Sequence, residues 1–551
     1  MRTFPPFKLV PVLAGLLFST TLHAQTTTPL PANWQHAGSI AGGGDQTMLK
    51  TTAGTALLVG KAGEPYLIAP ATAPSDFHLT MDILMAPGTT ARLILPAGKP
   101  VDLTDKRLSK APGLWQTVDV RYRNQTGLSR KAMLEKLAFN GVTVTEGQTL
   151  PETPAGPVGL SVTNGSVAVR NLVYKPFAAR NVARWTGPLH YTIYDGESAT
   201  RDELAGKKIL KQDTTSALSY EVAFGQPRRY AVLFTGKMDA LQAGAYTFEL
   251  NQGGIAGMWL DGKELIPTAY HDLGQPSTGT ATLTAGPHDI QVFFARSWPR
   301  PGLGLFVSQA GTRPQPLHTL SSLPDPAPVG IISVTPEAKT QLIRSFVQMP
   351  GEKTKRTHSL SVGSPAGVHY TLDLNQMALL QAWKGDFANV TEMWHERGEP
   401  QLLTPMGTTV RLPGQSALMV LTNEATAWPD SLDESILQYK GLSVDKQGVP
   451  TINYELAGMT VTDAIRAEAD GLRRTLQLAG TADGTTYCRV ATGTSLEEVS
   501  KGLYAVNDRS YYIRVDPNTR MKRRASKGNQ ELLLPVSMKN GSGSVQYSIM
   551  F

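Results

Sequence analysis

The chain has 551 residues, enough for three to four domains at ~100–200 residues each. Its hydrophobic (41%) and charged (18%) fractions exclude wholesale disorder and a fibrous repeat, while 52 Gly and 38 Pro favour tight turns between short strands over long helices. The formal charge of +7 is spread too thinly to mark a nucleic-acid binder, and the single cysteine, Cys488, excludes an intrachain disulfide, a Cys-x-x-Cys-His haem attachment and a thiolate zinc cage.

Arg2 and Lys8 precede the apolar run Leu9–Phe18, followed by Leu22-His23-Ala24 and a polar stretch. A charged start, a short apolar core and a small residue at a cut after Ala24 make residues 1–24 a secretory signal. The expected location is periplasmic or secreted. No later run is long and apolar enough for a membrane span.

From Trp34 to about Phe177, apolar and polar residues alternate in short runs such as Phe77–Leu84 and Val167–Arg170, between Gly, Pro and Asn turns. Period-two alternation predicts half-buried antiparallel strands. The same pattern continues in Tyr230–Phe234, Ala245–Leu250 and Asp289–Phe294. Three prolines in 323–328 stiffen the backbone and cannot join a ladder, which places a linker there. Beyond it the chain is again strand-like, with Ala464–Glu468 the one modest helical candidate. The expected fold class is therefore all-β, with three antiparallel β-sandwich or jelly-roll domains in tandem behind the signal: 25–178, 179–323 and 329–551, the last two separated by 324–328. The basic run Arg520, Lys522, Arg523, Arg524 and Lys527 lies beside the turn Asp516-Pro517-Asn518 and lacks interleaved aromatics, so it reads as a solvated hairpin tip.

The ordered series Trp115–Arg121, Lys136–Val142, Ala155–Leu160 and Val169–Leu172 resembles the 3-keto-disaccharide hydrolase family, a concanavalin-like jelly roll. The resemblance implies acidic working residues between the strand at Ala91–Leu95 and the Trp115 strand. The section Pro96–Leu114 holds only Asp102 and Asp105, beside Lys99, Lys106 and Arg107, without a second separated carboxyl group or a histidine. These two aspartates are the only catalytic candidates; their bland reading is a solvated loop of paired charges.

Tyr194, Ala231–Phe234, Leu241–Phe248, Met258–Lys263 and Thr282–Ile290 together resemble the lectin-like module named after anthrax protective antigen. Members that bind sugar through calcium carry two adjacent aspartates where this chain has Gly253 and Gly254, so no metal is expected, and Asp261 reads as a turn residue. A sugar could stack on Trp298 or Trp259, the second more naturally a core residue.

The third stretch, with Val362–Val368, Ala382–Phe387, Trp394–Gly398 and Gly448–Tyr454, is similar to the β-rich domain that accompanies c-type cytochromes and sugar-dehydrogenase-like modules. A zinc reading of His395-Glu396 fails because Glu399 stands where the second histidine would be. Trp383, Lys384, Phe387, Trp394 and Arg397 form the candidate ligand-binding cluster; the competing reading is a buried aromatic corner with Arg397 on backbone carbonyls. The sequence thus predicts a carbohydrate-binding or scaffolding protein without its own catalytic site or cofactor. Its rivals are a hydrolase of 3-keto-glycosides and an accessory partner of a periplasmic cytochrome or sugar dehydrogenase.

Overall fold

A computed structural model describes residues 30–41, 47–70, 76–96, 100–104, 107–124, 132–150, 156–178, 180–296, 300–324, 330–395 and 400–551. The signal segment, 325–328 of the linker, and the candidates Asp105, Trp298 and Arg397 lie outside these residues.

The protein is all-β: among the described residues antiparallel strands make up every sheet, and helical segments are single 3-10 turns of three or four residues. In the first stretch, Asp76–Met85 lies between Ser166–Phe177 and Trp115–Arg123 at the centre of a seven-stranded sheet. A four-stranded sheet built around Val158–Asn164 shares one core with it, in which Phe77, Leu79, Val120, Leu93 and Leu160 are buried. The alternating pattern works as expected here, since Asp76–Ile83 buries every second residue, and Leu84 and Met85 are buried beyond it. Asn140 and Gly141 both take positive φ (52° and 80°) in a two-residue hairpin that pairs Phe139 with Val142.

The second stretch is organised by the strand Gly244–Leu260. Its first half pairs with Ser277–Leu283 and Gly302–Gln309, and its second half with Lys263–His271 and Gly286–Arg296. The change of partners falls at Gly253-Gly254. A Cβ on Gly253 would sit 2.2 Å from Arg300 O, and one on Gly254, at φ 140°, would sit 2.7 Å from Ala295 O. These glycines make the corner at which one strand serves two sheets.

The third stretch has a six-stranded sheet around Ala378–Asn389, an eight-stranded sheet running from Leu437 to Met550, and a four-stranded sheet that includes Thr485–Gly493 and Asn529–Pro535. Residues of all three sheets meet in one core. Ala464–Glu468 is not helical: it ends the strand Met459–Glu468, which buries Met459, Val461, Asp463 and Ile465 alternately. Ala, Arg and Glu are good helix formers, but ladders on both sides override that propensity. Asp463 points inward because it pairs with Arg474. Nη2 of Arg474 lies 2.6 Å from Asp463 Oδ2 and also donates to Met377 O at 3.0 Å, while Nη1 donates to Tyr547 Oη at 3.3 Å. Cys488 is buried in the same core, which pushes its thiol pKa up to about 12.

The expected solvated tip is a hairpin whose cations are engaged. Lys522–Ser526 pairs with Asn529–Pro535 around Lys527-Gly528. Lys522 meets Glu424, Arg523 donates to Gln530 Oε1, Arg524 meets Glu531 and Lys527 meets Asp430. The run thus secures the hairpin to neighbouring segments.

Contacts among the described residues join the stretches. Arg313 reaches from the second into the first, where it pairs with Asp76 and Glu135 and donates to Tyr122 O at 3.0 Å. From the first stretch, Ala111 and Leu114 pack on Val499, Leu503, Ala505 and Tyr512 of the third. Around them Trp115 N donates to Arg509 O at 3.2 Å, Tyr512 Oη donates to Pro112 O at 3.3 Å, and Arg170 meets Asp508.

Candidate functional site

The described part of the Pro96–Leu114 section, where the hydrolase-like resemblance puts catalytic acids, packs against other segments of the chain. Its Leu108, Ala111 and Leu114 are buried, the last two against the third stretch, and Thr408 Oγ1 donates to Leu108 O. Asp102 accepts from Thr104 Oγ1 at 2.6 Å and Thr104 N at 3.3 Å, a local turn in which the carboxylate satisfies its own backbone. No second carboxyl group is hydrogen-bonded or ion-paired with it among the described residues.

In the second stretch, Asp261 has φ 48° and opens the Asp261-Gly262 hairpin turn, as its sequence suggests. Its carboxylate faces the His288 ring at 2.7 Å. Trp259 is 8% exposed, with the Arg201 guanidinium 4.2 Å from its ring centre, so a cation already occupies its accessible face. Among the described residues no group of three or more His, Cys, Asp or Glu side chains comes together to hold a metal ion.

The aromatic cluster of the third stretch divides. Trp383 and Phe387 are fully buried and stack with ring centres 5.8 Å apart, beside the His369 ring, so a ligand cannot touch them without opening the sheet. The reason is the strand Ala378–Asn389, flanked by partners on both sides and buried along most of its length. His369 stays neutral there: Ser364 N donates to Nδ1, Nε2 donates to Gly385 O, and burial lowers its pKa. Lys384 is also buried, 3.8 Å from Asp470, and its pKa is lowered by burial against that pairing. Trp394 alone of these described residues is on the surface, 70% exposed after the turn Thr391–Met393.

A cleft that no sequence motif marks opens elsewhere in the third stretch. It measures about 380 Å³. Its walls come from five segments distant in sequence: Arg411–Pro413 with Gln415, Trp428 with Asp430, Arg489 with Thr492–Thr494, Asn507 with Tyr511, and Ser526, Lys527, Asn529 and Glu531 of the hairpin. The strand Thr404–Arg411 separates it from the Trp394 end of the sheet by seven residue steps, roughly 23 Å at ~3.3 Å each.

The floor of the cleft is a charged stack. Trp428 is buried and donates from Nε1 to Ser416 O at 3.0 Å, and the Arg489 guanidinium lies 4.8 Å from its ring centre. Arg489 Nη1 donates to Glu531 Oε1 at 2.7 Å, and Glu531 Oε2 accepts from Arg524 Nε at 2.7 Å. Burial lowers the Arg489 pKa, and Glu531 partly offsets it. Arg489 also donates to Gln415 Oε1, whose amide nitrogen donates to Asp430 Oδ1 at 3.0 Å. Lys527 closes this chain at 2.8 Å from Asp430 Oδ2. Both buried charges are thus partnered, which fixes their positions.

The opposite wall rests on unusual backbone. Asn507, Asp508 and Arg509 take φ of 49°, 52° and 60° in succession, a left-handed turn rarely built from non-glycine residues. It is held by Asn507 N to Ser495 O (3.0 Å), Asp508 N to Ser495 Oγ (2.9 Å) and Thr494 N to Asn507 Oδ1 (2.8 Å). A Cβ on Gly493 would sit 2.1 Å from Asn507 Oδ1, so only glycine lets the two walls approach. The same turn supplies Asp508 and the Arg509 carbonyl to the first stretch. Cleft wall and inter-unit contact are one structure.

Chemically the lining offers amides (Gln415, Asn507, Asn529), hydroxyls (Thr492, Thr494, Ser526), three cations and two carboxylates. That mixture of fixed donors and acceptors suits a small ligand dense in hydroxyl groups.

No protein-family model and no curated protein matches the chain. Similar solved structures include a beta-glucosidase from Kluyveromyces marxianus in complex with glucose (17% identity, 22% of this chain and 16% of that chain, TM-score 0.19). They also include a PA14 sugar-binding domain from an RTX adhesin (15% identity, 24% of this chain and 94% of that chain, TM-score 0.20). A third is the epithelial adhesin 9 A domain from Candida glabrata in complex with Galb1-4GlcNAc (9% identity, 25% of this chain and 88% of that chain, TM-score 0.20). The chain therefore spans only 16% of the beta-glucosidase, and at these scores none of the likenesses carries an argument about function.

Proposed function

We propose that the protein is an exported carbohydrate-binding or scaffolding protein, periplasmic or secreted, without a catalytic site of its own, and that its sugar occupies the cleft between Trp428 and Asn507. The observation that carries this reading is the lining of the cleft. At about 380 Å³ it falls in the size class of small-molecule sites, ~300–1,000 Å³. Its polar groups are held by neighbours before any ligand arrives: Asn507 by Thr494, Gln415 by Arg489 and Asp430. A sugar presents a hydroxyl on nearly every carbon, so a site with many oriented donors and acceptors and few apolar walls fits it better than an apolar metabolite.

The resemblance of the first two stretches to sugar-associated modules supports the same reading, as does the use of Leu108, Ala111 and Leu114 for packing in place of catalysis. Trp394, 70% exposed, is a second surface on which a longer glycan could stack. The test is saturation-transfer NMR of the whole protein against a panel of monosaccharides and short oligosaccharides. The reading requires transfer to at least one sugar, abolished by filling the cleft with Thr494→Trp. Turnover of a 3-keto-glycoside that is lost in Asp102→Asn would replace it with the hydrolase reading.

A further inference from the structure

The charges of the cleft are not balanced. Arg489 and Arg524 share Glu531, each at 2.7 Å, and Lys527 pairs with Asp430 at 2.8 Å. Arg411 is the third cation of the lining, and no carboxylate pairs with it among the described residues. Among the described residues its one side-chain hydrogen bond runs from Nη1 to Gln381 Oε1, on the fully buried Gln381 of the adjacent strand. Arg411 is exposed, yet crowding around its guanidinium lowers its pKa with no acidic neighbour to offset the effect. Arg411 lines the cleft, and a guanidinium hydrogen-bonded through one nitrogen keeps the rest of its planar fork available to a ligand.

Gln381 is what aims it. Gln381 pairs with Arg411 across the ladder and fixes its own amide by donating from Nε2 to Thr371 Oγ1 at 3.2 Å, which leaves Oε1 to accept from Arg411. The orientation is therefore set from the buried face of the sheet, without spending the whole donor set. A planar fork matches a carboxylate through two parallel N–H···O bonds, and a neutral hydroxyl uses only half of it.

We infer that the cleft takes an acidic sugar, a uronic acid residue or short uronate-containing glycan, with its carboxylate on Arg411 and its hydroxyls on Gln415, Asn507 and Asn529. This rests on the glycan-binding reading above and adds the class of sugar to it. The carboxylate supplies the charge partner that Arg411 lacks among the described residues, and a neutral sugar binds more weakly because it leaves that guanidinium with Gln381 as its polar partner.

Calorimetric titration of the full-length protein with glucuronate and galacturonate, and with the methyl glycosides of glucose and galactose, tests this. The uronates are expected to bind about tenfold to a hundredfold tighter than their neutral counterparts, a preference that shrinks with added salt. Arg411→Gln should bring the two classes within a few-fold of each other, and Arg411→Lys should keep part of the preference because it retains charge without the fork. Thermal melts confirm that both variants are folded. Equal binding of acidic and neutral sugars, or a preference that survives Arg411→Gln, overturns the inference and leaves the glycan-binding reading intact. Binding of no sugar by the folded wild-type protein overturns both.

Discussion

The His288 ring is clamped between two acceptors: Nδ1 lies 2.7 Å from Asp261 Oδ2 and Nε2 lies 2.9 Å from the carbonyl of Thr284. A neutral imidazole has one N–H and can satisfy only one of them, so the site favours the cation. Burial opposes the charge, but the Thr284 carbonyl and the Asp261 carboxylate prevail and the His288 pKa is raised. Asp289 adds attraction, while Lys237 pairs with Asp289 at 2.8 Å and its charge helps to lower the Asp261 pKa. Because the folded value exceeds 6.5, the stabilisation is complete below that pH and is lost as pH climbs through the folded value. Comparing urea midpoints of the wild type and His288→Gln from pH 5 to 9 should show a gap that closes with rising pH; a constant gap would contradict the protonated clamp.

His369 is expected to behave in the opposite sense. Its Nδ1 accepts from Ser364 N at 3.1 Å and its Nε2 donates to Gly385 O at 2.9 Å, so the neutral ring is fully used. Burial lowers its pKa, and stability from this residue is present above 6.5 and lost as pH falls toward the depressed folded value. The His369 ring signals in an NMR titration should stay at neutral-tautomer positions at pH 6, where His288 reads as charged. A His369 titration near 6.5 would refute the assignment.

Asp463→Asn should be among the most damaging single changes in the chain. It removes the charge facing Arg474, which is 2% exposed and retains only Met377 O and Tyr547 Oη as other partners. Leaving a buried guanidinium uncompensated costs about 3–5 kcal/mol, readable as a fall in the urea midpoint. A loss under about 1 kcal/mol would mean that the pair contributes little beyond its isosteric packing.

Two substitutions separate the contacts between stretches. Arg313→Ala deletes every bond to Asp76, Glu135 and Tyr122 O, at a cost of about 1–3 kcal/mol because the side chain is only partly buried. Leu114→Ala removes a fully buried side chain from the contact with Val499, Leu503 and Tyr512, at about 2–5 kcal/mol. Each should split the calorimetric unfolding peak, Arg313→Ala releasing the second stretch and Leu114→Ala uncoupling the first from the third. A single unshifted peak for both would show that these contacts do not couple the stretches.

Strand identity was legible in the sequence wherever one face is buried, as in Phe77–Leu84, and hairpin turns were legible at Asn140-Gly141 and Asp261-Gly262, because positive φ restricts which residues serve there. The Ala464–Glu468 segment misled because its composition favours a helix, while the alternation that decides it begins earlier, at Met459, and places the acidic Asp463 inward. The candidate site was much less legible. Trp383 and Phe387 stand out in the sequence as an aromatic cluster, yet both lie inside the buried Ala378–Asn389 strand, whose ladder is irregular between Asp386 and Ala388, and their rings stack with centres 5.8 Å apart. The cleft was invisible because its walls meet only in three dimensions. The nearest local signals are Thr492-Gly493-Thr494 and Asn507-Asp508, polar residues where a turn must make a close approach or take a left-handed conformation.

A sugar seated between Trp428 and Asn507 would be seen by chemical-shift mapping on the isotopically labelled protein during a sugar titration. Saturable shifts are expected at the amides of Gly414, Gln415, Gly493, Thr494 and Asn507, with the indole of Trp383 unmoved. Saturable shifts centred instead on Trp394, or on the first two stretches with the cleft silent, would contradict it.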